Sequence, residues 1–270
     1  MSKLHTGLKY VSMGLGLGAD VYSKWVLASM LPRLRLHKAL GLSTSNVYTA
    51  TVQLEELERT LYFREQDIFT FREVLFGEGY LKPDLRKKPL RCIVDLGAHV
   101  GLAATRFAAA FPQARVHCYE PDPENFRLLK LNTQDVPNIS VHHEAVGTTI
   151  GKANFYINSE RHTASSLKPN QSEGCKIAVC NVKPLDAIIE EVGGAVDLIK
   201  FDIEDLEYQV FSQSQLVQRV NRLVGEIKAP QTEIDRFISL FPSHTPETRQ
   251  AAKHMYYIYL SHSGSQVVRG

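Results

Sequence analysis

Apolar positions follow two different periods along the chain. Over residues 8–40, and again over residues 52–76, they recur at helical spacing. The second stretch carries one apolar face made of Leu54, Leu57, Leu61, Ile68, Phe71 and Leu75. The polar stretch 82–89 that follows contains two prolines, which disfavour helix in the residue before each ring. We therefore expect a helical N-terminal cap over residues 1–84.

From residue 85 to residue 270 short apolar runs alternate with helical segments, which predicts a second domain. The predicted strands are 91–95, 115–120, 139–144, 196–201, 221–227 and 254–260, and the predicted helices are 101–111, 123–132, 184–192, 205–214 and 231–240. This alternation is typical of an α/β fold, a mainly parallel sheet with helices on both faces. Residues 145–183 predict an insertion, in which only residues 155–157 read as a short strand.

Composition narrows the class of protein and of partner. The chain has 270 residues, of which 44% are hydrophobic and 22% charged, enough for one large core. Its 31 Lys and Arg residues barely exceed its 29 Asp and Glu residues and are scattered, unlike the basic surface that binds nucleic acid. We therefore expect a small-molecule acceptor and no nucleic-acid partner. The sequence does not indicate an oligomeric state.

The chain predicts no membrane span, because no stretch approaches the roughly eighteen consecutive apolar residues that a span requires. The four cysteines form no Cys-x-x-Cys pair, which fits a reducing, cytoplasmic setting. The first 50 residues contain six basic residues and a single acidic one, Asp20, a bias also found in transit peptides. We prefer a helical cap, because the apolar spacing continues into the next segments.

The strongest chemical signal is an apolar strand that ends in an acidic residue and enters a glycine-containing turn. The segment reads Ile93-Val94-Asp95-Leu96-Gly97-Ala98-His99-Val100-Gly101. Such a turn lets the backbone approach a ligand, and the following helix begins with unpaired amides. The next strand ends in Glu120 and Pro121, and a carboxylate there can accept hydrogen bonds from a ribose diol. Together these signals predict a nucleoside-containing cofactor.

Two features favour S-adenosylmethionine over NAD as that cofactor. A dinucleotide site has three glycines in a GxGxxG turn, whereas this turn has only Gly97 and Gly101. The carboxylate of Asp95 would repel a pyrophosphate but suits the positive amino group of a methionine. A nicotinamide-dependent dehydrogenase therefore ranks third, below the two functions that use S-adenosylmethionine and are given below.

At these residues the chain resembles the FkbM family of S-adenosylmethionine-dependent methyltransferases, over most of residues 60–228. The matching segments are DLGAHVG at 95–101, YEPDPENFRLLKLN at 119–132, AVG at 145–147, VKPLDAII at 182–189, LIKFDIEDLEYQVF at 198–211 and VGEIK at 224–228. Residues 61–69 are also similar to the stretch ahead of the family's core, where an Arg and an Asp recur. The resemblance implies a class I methyltransferase (Rossmann-like) fold and, usually, O-methylation of sugars or secondary metabolites in natural product biosynthesis.

The residues expected to contact the cofactor come from the turn, the strand ends and the family motifs. They are Asp67, Asp95, Gly97, Ala98, His99, Gly101, Glu120, Pro121, Glu144, Ala145 and Asp202. Glu144 is a candidate for contact with the adenine; alternatively, it is an exposed carboxylate in a loop. We predict no metal site, because the adjacent His142 and His143 of one strand point to opposite faces.

The candidate catalytic residues lie at the end of the fourth predicted parallel strand, beside the topological switch of the sheet. Asp202 and Glu204 are candidates for substrate binding or for the general base that a hydroxyl acceptor requires. His162, in the insertion, is a further base that a lid would deliver. Alternatively, Asp202 only caps the following helix, and His162 is a solvated loop residue without a catalytic role.

Three positions depart from the family pattern. His99 replaces the Asn of the turn, Asp205 replaces the Gly of the DxEG motif, and Lys228 replaces the His of a Glu-x-His motif. The change at Asp205 puts a side chain where glycine allows close backbone approach. The alternative function is therefore a non-catalytic module that binds S-adenosylmethionine.

Overall fold

The computed structural model describes residues 3–76, 79–158, 165–169 and 175–263. The chain divides into two compact units, which interleave along the sequence. The first comprises Met1–Lys88, Val100–Pro112 and Arg127–Pro137, and the second comprises Pro89–His99, Gln113–Phe126 and Asn138–Gly270.

Two helices open the first unit and confirm the helical spacing over residues 8–40. They are α1 (Lys3–Leu17) and α2 (Val21–Ala39). Asp20 caps α2, since its carboxylate accepts a hydrogen bond from the Ser23 backbone N–H at 2.7 Å. The helices approach closely at Gly14, where a Cβ atom would lie 2.3 Å from the Ala28 nitrogen. A glycine is therefore required for this packing.

Residues 47–64 form a β-hairpin, so the helix predicted over 52–76 is wrong in its first half. Strand β1 (Val47–Leu54) pairs antiparallel with β2 (Leu57–Arg64), around a turn in which Glu55 has a φ of 54°. The inward positions follow a period of two; they are Ala50, Val52, Leu54, Leu61 and Phe63. Leu57, which the helical pattern placed inside, is exposed. Strand alternation is therefore the operative pattern here.

The rest of the first unit is built from short helical pieces. A 3₁₀ turn at Glu65–Asp67, the three-residue helix α3 (Ile68–Thr70) and a π-helical turn at Phe71–Phe76 follow the hairpin. A second 3₁₀ turn spans Pro83–Lys87, and the unit also contains α4 (Leu102–Ala110). The predicted helical character of residues 65–76 is thus confirmed only as a series of single turns.

Ten strands follow among the described residues of the second unit. In chain order they are β3 (Cys92–Leu96), β4 (Arg115–Tyr119), β5 (Ile139–His142), β6 (Glu144–Gly147), β7 (Gly151–Asn158), β8 (Cys175–Pro184), β9 (Leu198–Phe201), β10 (Arg222–Lys228), β11 (His244–Ala252) and β12 (Met255–His262). The helices that alternate with them along the chain are α5 (Pro123–Thr133), α6 (Leu185–Glu191), α7 (Glu207–Gln213) and α8 (Gln231–Ile238). All six predicted strands and all five predicted helices are present.

Seven of these strands form the central sheet, in the order β11-β12-β10-β9-β3-β4-β5. The strands from β10 to β5 run parallel, and β12 runs antiparallel to both of its neighbours. This topology confirms the predicted mainly parallel, class I methyltransferase architecture. The chain order reverses at β3, between β4 and β9, which places the switch point and its crevice at the carboxyl ends of these strands.

The predicted insertion forms a small sheet of its own, in the order β6-β8-β7. Strand β7 contains the short strand expected at residues 155–157 and pairs antiparallel with β8. Buried apolar residues of both strands, such as Phe155 and Val182, give it a separate small core. No helix within the described residues is both long and apolar enough to cross a membrane.

Candidate functional site

The turn after β3 touches the end of β9. The Asp202 backbone N–H donates to the Leu96 carbonyl at 3.1 Å. Gly97 has a φ of +74°, and a Cβ atom on it would lie 1.9 Å from the Asp202 carbonyl oxygen. Only glycine satisfies both conditions, so Gly97 sets how closely the turn and β9 approach.

The same turn is tied to the end of β4. The backbone N–H groups of Gly97 and Ala98 both donate to the Tyr119 carbonyl at 3.0 Å, and that of His99 donates to Glu120 Oε2 at 2.7 Å. His99 has a φ of 53°, in the left-handed region that Asn and His tolerate better than most residues. The backbone conformation therefore accounts for His99 in place of the family's Asn.

A buried ion pair lies beneath this turn. Asp95 on β3 and Lys200 on β9 are register partners, and Lys200 Nζ lies 3.0 Å from Asp95 Oδ1. Lys200 also donates to the Gly97 carbonyl at 2.6 Å. Burial raises the pKa of Asp95, and the Lys200 ammonium opposes this shift. The pair thus joins the ends of two strands to the backbone of the turn.

Lys200 received no role in the sequence analysis. The available signal was a lysine inside the apolar strand Leu198–Phe201, whose residues are all buried. A buried charge requires a partner. Asp95, the acidic residue of the adjacent strand at the switch point, is the candidate partner for Lys200.

Glu120 is a buried carboxylate at the end of β4, with 5% of its surface exposed. It accepts hydrogen bonds from the backbone N–H groups of His99 and Asp122, at 2.7 and 2.9 Å, and from Asn125 Nδ2 at 3.4 Å. Burial, reinforced by the Asp122 charge, raises the pKa of Glu120 to about 7. A carboxylate has about four acceptor positions, so capacity remains on Oε2 for a ribose hydroxyl. Glu120 therefore fits the nucleoside part of the predicted cofactor.

A second acidic group lies at the ends of β9 and β10. Lys228 Nζ donates to both carboxylate oxygens of Glu204, at 3.0 and 3.1 Å, and lies 3.4 Å from Glu226. Burial and the Asp202 charge raise the pKa of Glu204, and the Lys228 ammonium only partly opposes them. The family's His is thus replaced by a cation that holds Glu204 in place.

Asp205, which stands where the family motif has glycine, adopts a left-handed backbone conformation. Its φ is 70°, and that of the preceding Glu204 is 53°. Aspartate is among the residues that tolerate this region, and the Asp205 side chain is exposed. The second departure from the family pattern therefore puts no side chain into the buried part of the site.

The described part of the insertion reaches this acidic group. Ser166 Oγ donates to the Glu204 carbonyl at 2.8 Å, and Ser166 pairs through its backbone with Tyr156 of β7. In the sequence analysis a candidate base was placed in this insertion, but Ser166 was not identified. His162, the base predicted from the insertion, lies outside the described residues.

Two of the predicted cofactor contacts have established partners within the second unit. Glu144 forms an ion pair with Lys183, with 2.8 Å between Oε2 and Nζ, while the next residue, Ala145, is buried. The Pro121 carbonyl lies 3.1 Å from His143 Nε2. Contacts of Glu144, Ala145 and Pro121 with the cofactor remain predictions.

Two further predicted contacts belong to the first unit. Asp67 is buried and forms a bidentate pair with Arg64, at 3.1 Å for both nitrogen–oxygen contacts. Gly101 precedes α4 with a φ of 86°, and a Cβ atom on it would lie 2.7 Å from Leu129 Cδ1. Both residues have a structural role, and cofactor contact remains a prediction for each.

The sheet, the glycine turn and the buried carboxylate after β4 together define a class I methyltransferase domain. A family model described as the methyltransferase FkbM domain matches residues 95–259. The chain belongs to this family. Its cofactor is accordingly S-adenosylmethionine, with which the geometry at Glu120 agrees.

Individual relatives are distant. The chain is 21% identical over 210 residues to the 31-O-demethyl-FK506 methyltransferase FkbM of Streptomyces tacrolimicus, covering 65% of this chain and 80% of that protein. It is 27% identical over 108 residues to the 2-O-methyltransferase NoeI of Sinorhizobium fredii, covering 35% of this chain and 44%, or less than half, of that protein. A solved structure of Aeropyrum pernix fibrillarin with bound S-adenosylmethionine is 14% identical over 80% of this chain and 99% of that one, with a TM-score of 0.44. A TM-score at this level adds nothing to the assignment.

Replacing Gly97 with alanine should destabilise the protein more than the same change at Gly194. The two glycines have φ angles of +74° and +77°, so alanine is strained by roughly 1–2 kcal/mol at either position. Only at Gly97 does the new Cβ meet backbone, which should cost about 1–3 kcal/mol more. Urea denaturation of both variants measures the difference; equal losses would refute the close contact with Asp202.

Replacing Lys200 with methionine should destabilise the protein by about 3–5 kcal/mol, because it leaves the Asp95 carboxylate buried without a cation. The double variant Lys200→Met, Asp95→Asn removes both charges and should recover part of the loss. Thermal or urea unfolding of the two variants provides the comparison. If the double variant is no more stable than Lys200→Met alone, the two charges are not coupled.

Proposed function

We propose that this chain is an S-adenosylmethionine-dependent O-methyltransferase that acts on a hydroxyl of a small molecule, a sugar or a carrier-bound secondary metabolite. The observation that carries the proposal is a pair of carboxylates at the carboxyl ends of the sheet, of which Glu120 is buried and Glu204 is partly buried. Glu120 retains acceptor capacity beside the glycine turn, and Glu204 is held by Lys228 at the end of β9. The first suits a ribose, and the second suits a hydroxyl that must lose a proton.

Glu120 would hold the ribose of the cofactor, and the Gly97 turn would leave room for its approach. When bound, S-adenosylmethionine supplies an electrophilic methyl group on a sulfonium. Asp95 is already paired with Lys200, so its main contribution in this proposal is to position the turn. Direct contact between Asp95 and the methionine amino group is a further expectation. Methyl transfer needs chiefly alignment and exclusion of water, which a rigid turn assists.

Glu204 is the proposed general base. A catalytic base works best when its pKa lies near the operating pH, and burial raises the pKa of Glu204 in that direction. Lys228 and Ser166 fix its side chain and its carbonyl respectively. Asp202, between the turn and Glu204, is the proposed contact to cofactor or acceptor.

The acceptor class is supported by the relatives and by composition. The printed names of the NoeI and FkbM relatives describe 2-O- and 31-O-methylation, which favours a hydroxyl over an amine here. The nearly balanced overall charge lacks the large excess of basic residues that is typical of nucleic-acid-binding proteins. A cytoplasmic role in natural product biosynthesis is consistent with both. The non-catalytic alternative depended on Asp205 and on the incomplete final motif at Lys228. Asp205 has a tolerated conformation and an exposed side chain, and Lys228 binds the Glu204 carboxylate, so neither departure supports that alternative.

The affinity for S-adenosylmethionine should fall by about tenfold between pH 8 and pH 6, because Glu120, with a pKa of about 7, must be ionised to accept a ribose hydroxyl beside its protein hydrogen bonds. Raising the pH through 7 deprotonates the carboxyl and strengthens binding. Titration calorimetry at several pH values measures the change. Glu120→Gln should bind weakly at pH 8 and lose most of the pH dependence; a variant with the wild-type pH profile would exclude Glu120 as the ribose ligand.

Glu204→Gln should lower kcat by about 10²–10⁴-fold while leaving the affinity for S-adenosylmethionine unchanged, because it removes the proton acceptor. Transfer of radiolabelled methyl to a panel of sugars and polyhydroxylated metabolites provides the assay. Asp205→Asn is the matched control, since it neutralises the neighbouring, exposed carboxylate and keeps a residue that tolerates positive φ. Equal rates for the two variants would contradict the assignment.

A further inference from the structure

Helix α2 exposes an apolar surface that the fold does not use. We define the α2 stripe as Val21, Tyr22, Trp25 and Leu36 together with Leu40, which ends the helix. These side chains are between 56% and 85% exposed. Large apolar residues exposed singly are ordinary, but five along one helix are not.

Helix geometry puts the α2 stripe on a single face. At 3.6 residues per turn, its members fall within a sector of roughly 100°. The residues that α2 buries project from the other side; they are Ser23, Val26, Leu27, Met30, Leu31 and Leu34. On α1, Leu8 and Leu15 are also exposed and lie two turns apart on one face. Core packing therefore explains one side of each helix and leaves the other without a role.

Charge and aromatic residues accompany the stripe. Residues 1–50 contain six Lys or Arg residues and one acidic residue, whereas the whole chain has a net charge of only +2. The Arg33 guanidinium lies over the Trp25 ring, 4.5 Å from its centroid. By helical spacing, Lys24 and Arg35 project along the opposite edge of the stripe. The stripe is thus apolar and aromatic in the middle and basic on both sides.

We propose that the α2 stripe docks on an anionic lipid bilayer, with the helix lying in the plane of the surface. Helices that bind in this way have an apolar face with Trp or Leu and basic residues beside it, whose stems extend to lipid headgroups. Tyr22 and Trp25 have the amphipathic rings that favour the interface. A second copy of this chain fits less well, because stacking two stripes would bring their basic edges together.

Trp25 is the only tryptophan in the chain, so its fluorescence reports directly on the stripe. The full chain is titrated with vesicles of phosphatidylcholine alone and of phosphatidylcholine with about 30% phosphatidylserine. We expect a blue shift, and quenching by brominated lipid, with the anionic vesicles, and much weaker effects with the neutral ones. Added salt should reduce binding.

Leu36→Glu keeps the reporter and places a charge in the stripe, so it should weaken binding to anionic vesicles by about tenfold or more. Ile177→Glu, at an exposed apolar position of β8, is the matched control and should bind like the wild type. The proposal is overturned if anionic vesicles leave Trp25 emission unchanged or if the two variants bind equally. It is also overturned if sedimentation velocity without lipid shows a dimer that Leu36→Glu dissociates.

Discussion

The arrangement of the site depends on one buried ion pair, between Lys200 of β9 and Asp95 of β3. Two charges out of water are stable only if they remain together and are otherwise hydrogen-bonded. Lys200 Nζ lies 3.0 Å from Asp95 Oδ1 and donates a hydrogen bond to the Gly97 carbonyl, so the two charges remain together and the cation is also tied to the turn. The ends of two neighbouring strands and the turn between sheet and helix are thereby fixed as one piece at the switch point.

The other groups of the site follow from that fixed turn. Its amides donate hydrogen bonds at the end of β4, one of them to the Glu120 carboxylate. Gly97 lets the Asp202 carbonyl approach more closely than any side chain would allow. On the far side, Glu204 is stabilised by Lys228, which replaces the family's histidine. The departures from the family pattern are therefore compatible with an intact site, because His99 and Asp205 tolerate their positive φ angles and Lys228 supplies a counter-charge to Glu204.

The sequence predicted the central sheet well because its parallel strands are short, buried apolar runs bounded by turn residues. It did not predict β11, whose side chains are almost all exposed and carry no apolar signature. It misread the β1–β2 hairpin, since Leu54, Leu61 and Ile68 recur at the seven-residue interval of one helix face. Within the site, Asp95, Gly97 and Glu120 were identifiable from motif and spacing. The pairing of Lys200 with Asp95, and that of Lys228 with Glu204, depends on which strands are neighbours, and local sequence does not encode this.

The most direct test is a crystal structure of the chain with S-adenosylhomocysteine. The account predicts that a ribose hydroxyl lies within hydrogen-bonding distance of Glu120 Oε2, with the Gly97 turn and the Lys200–Asp95 pair unchanged beneath the nucleoside. Adenosine bound elsewhere, with the Glu120 carboxylate still surrounded only by protein groups, would contradict it.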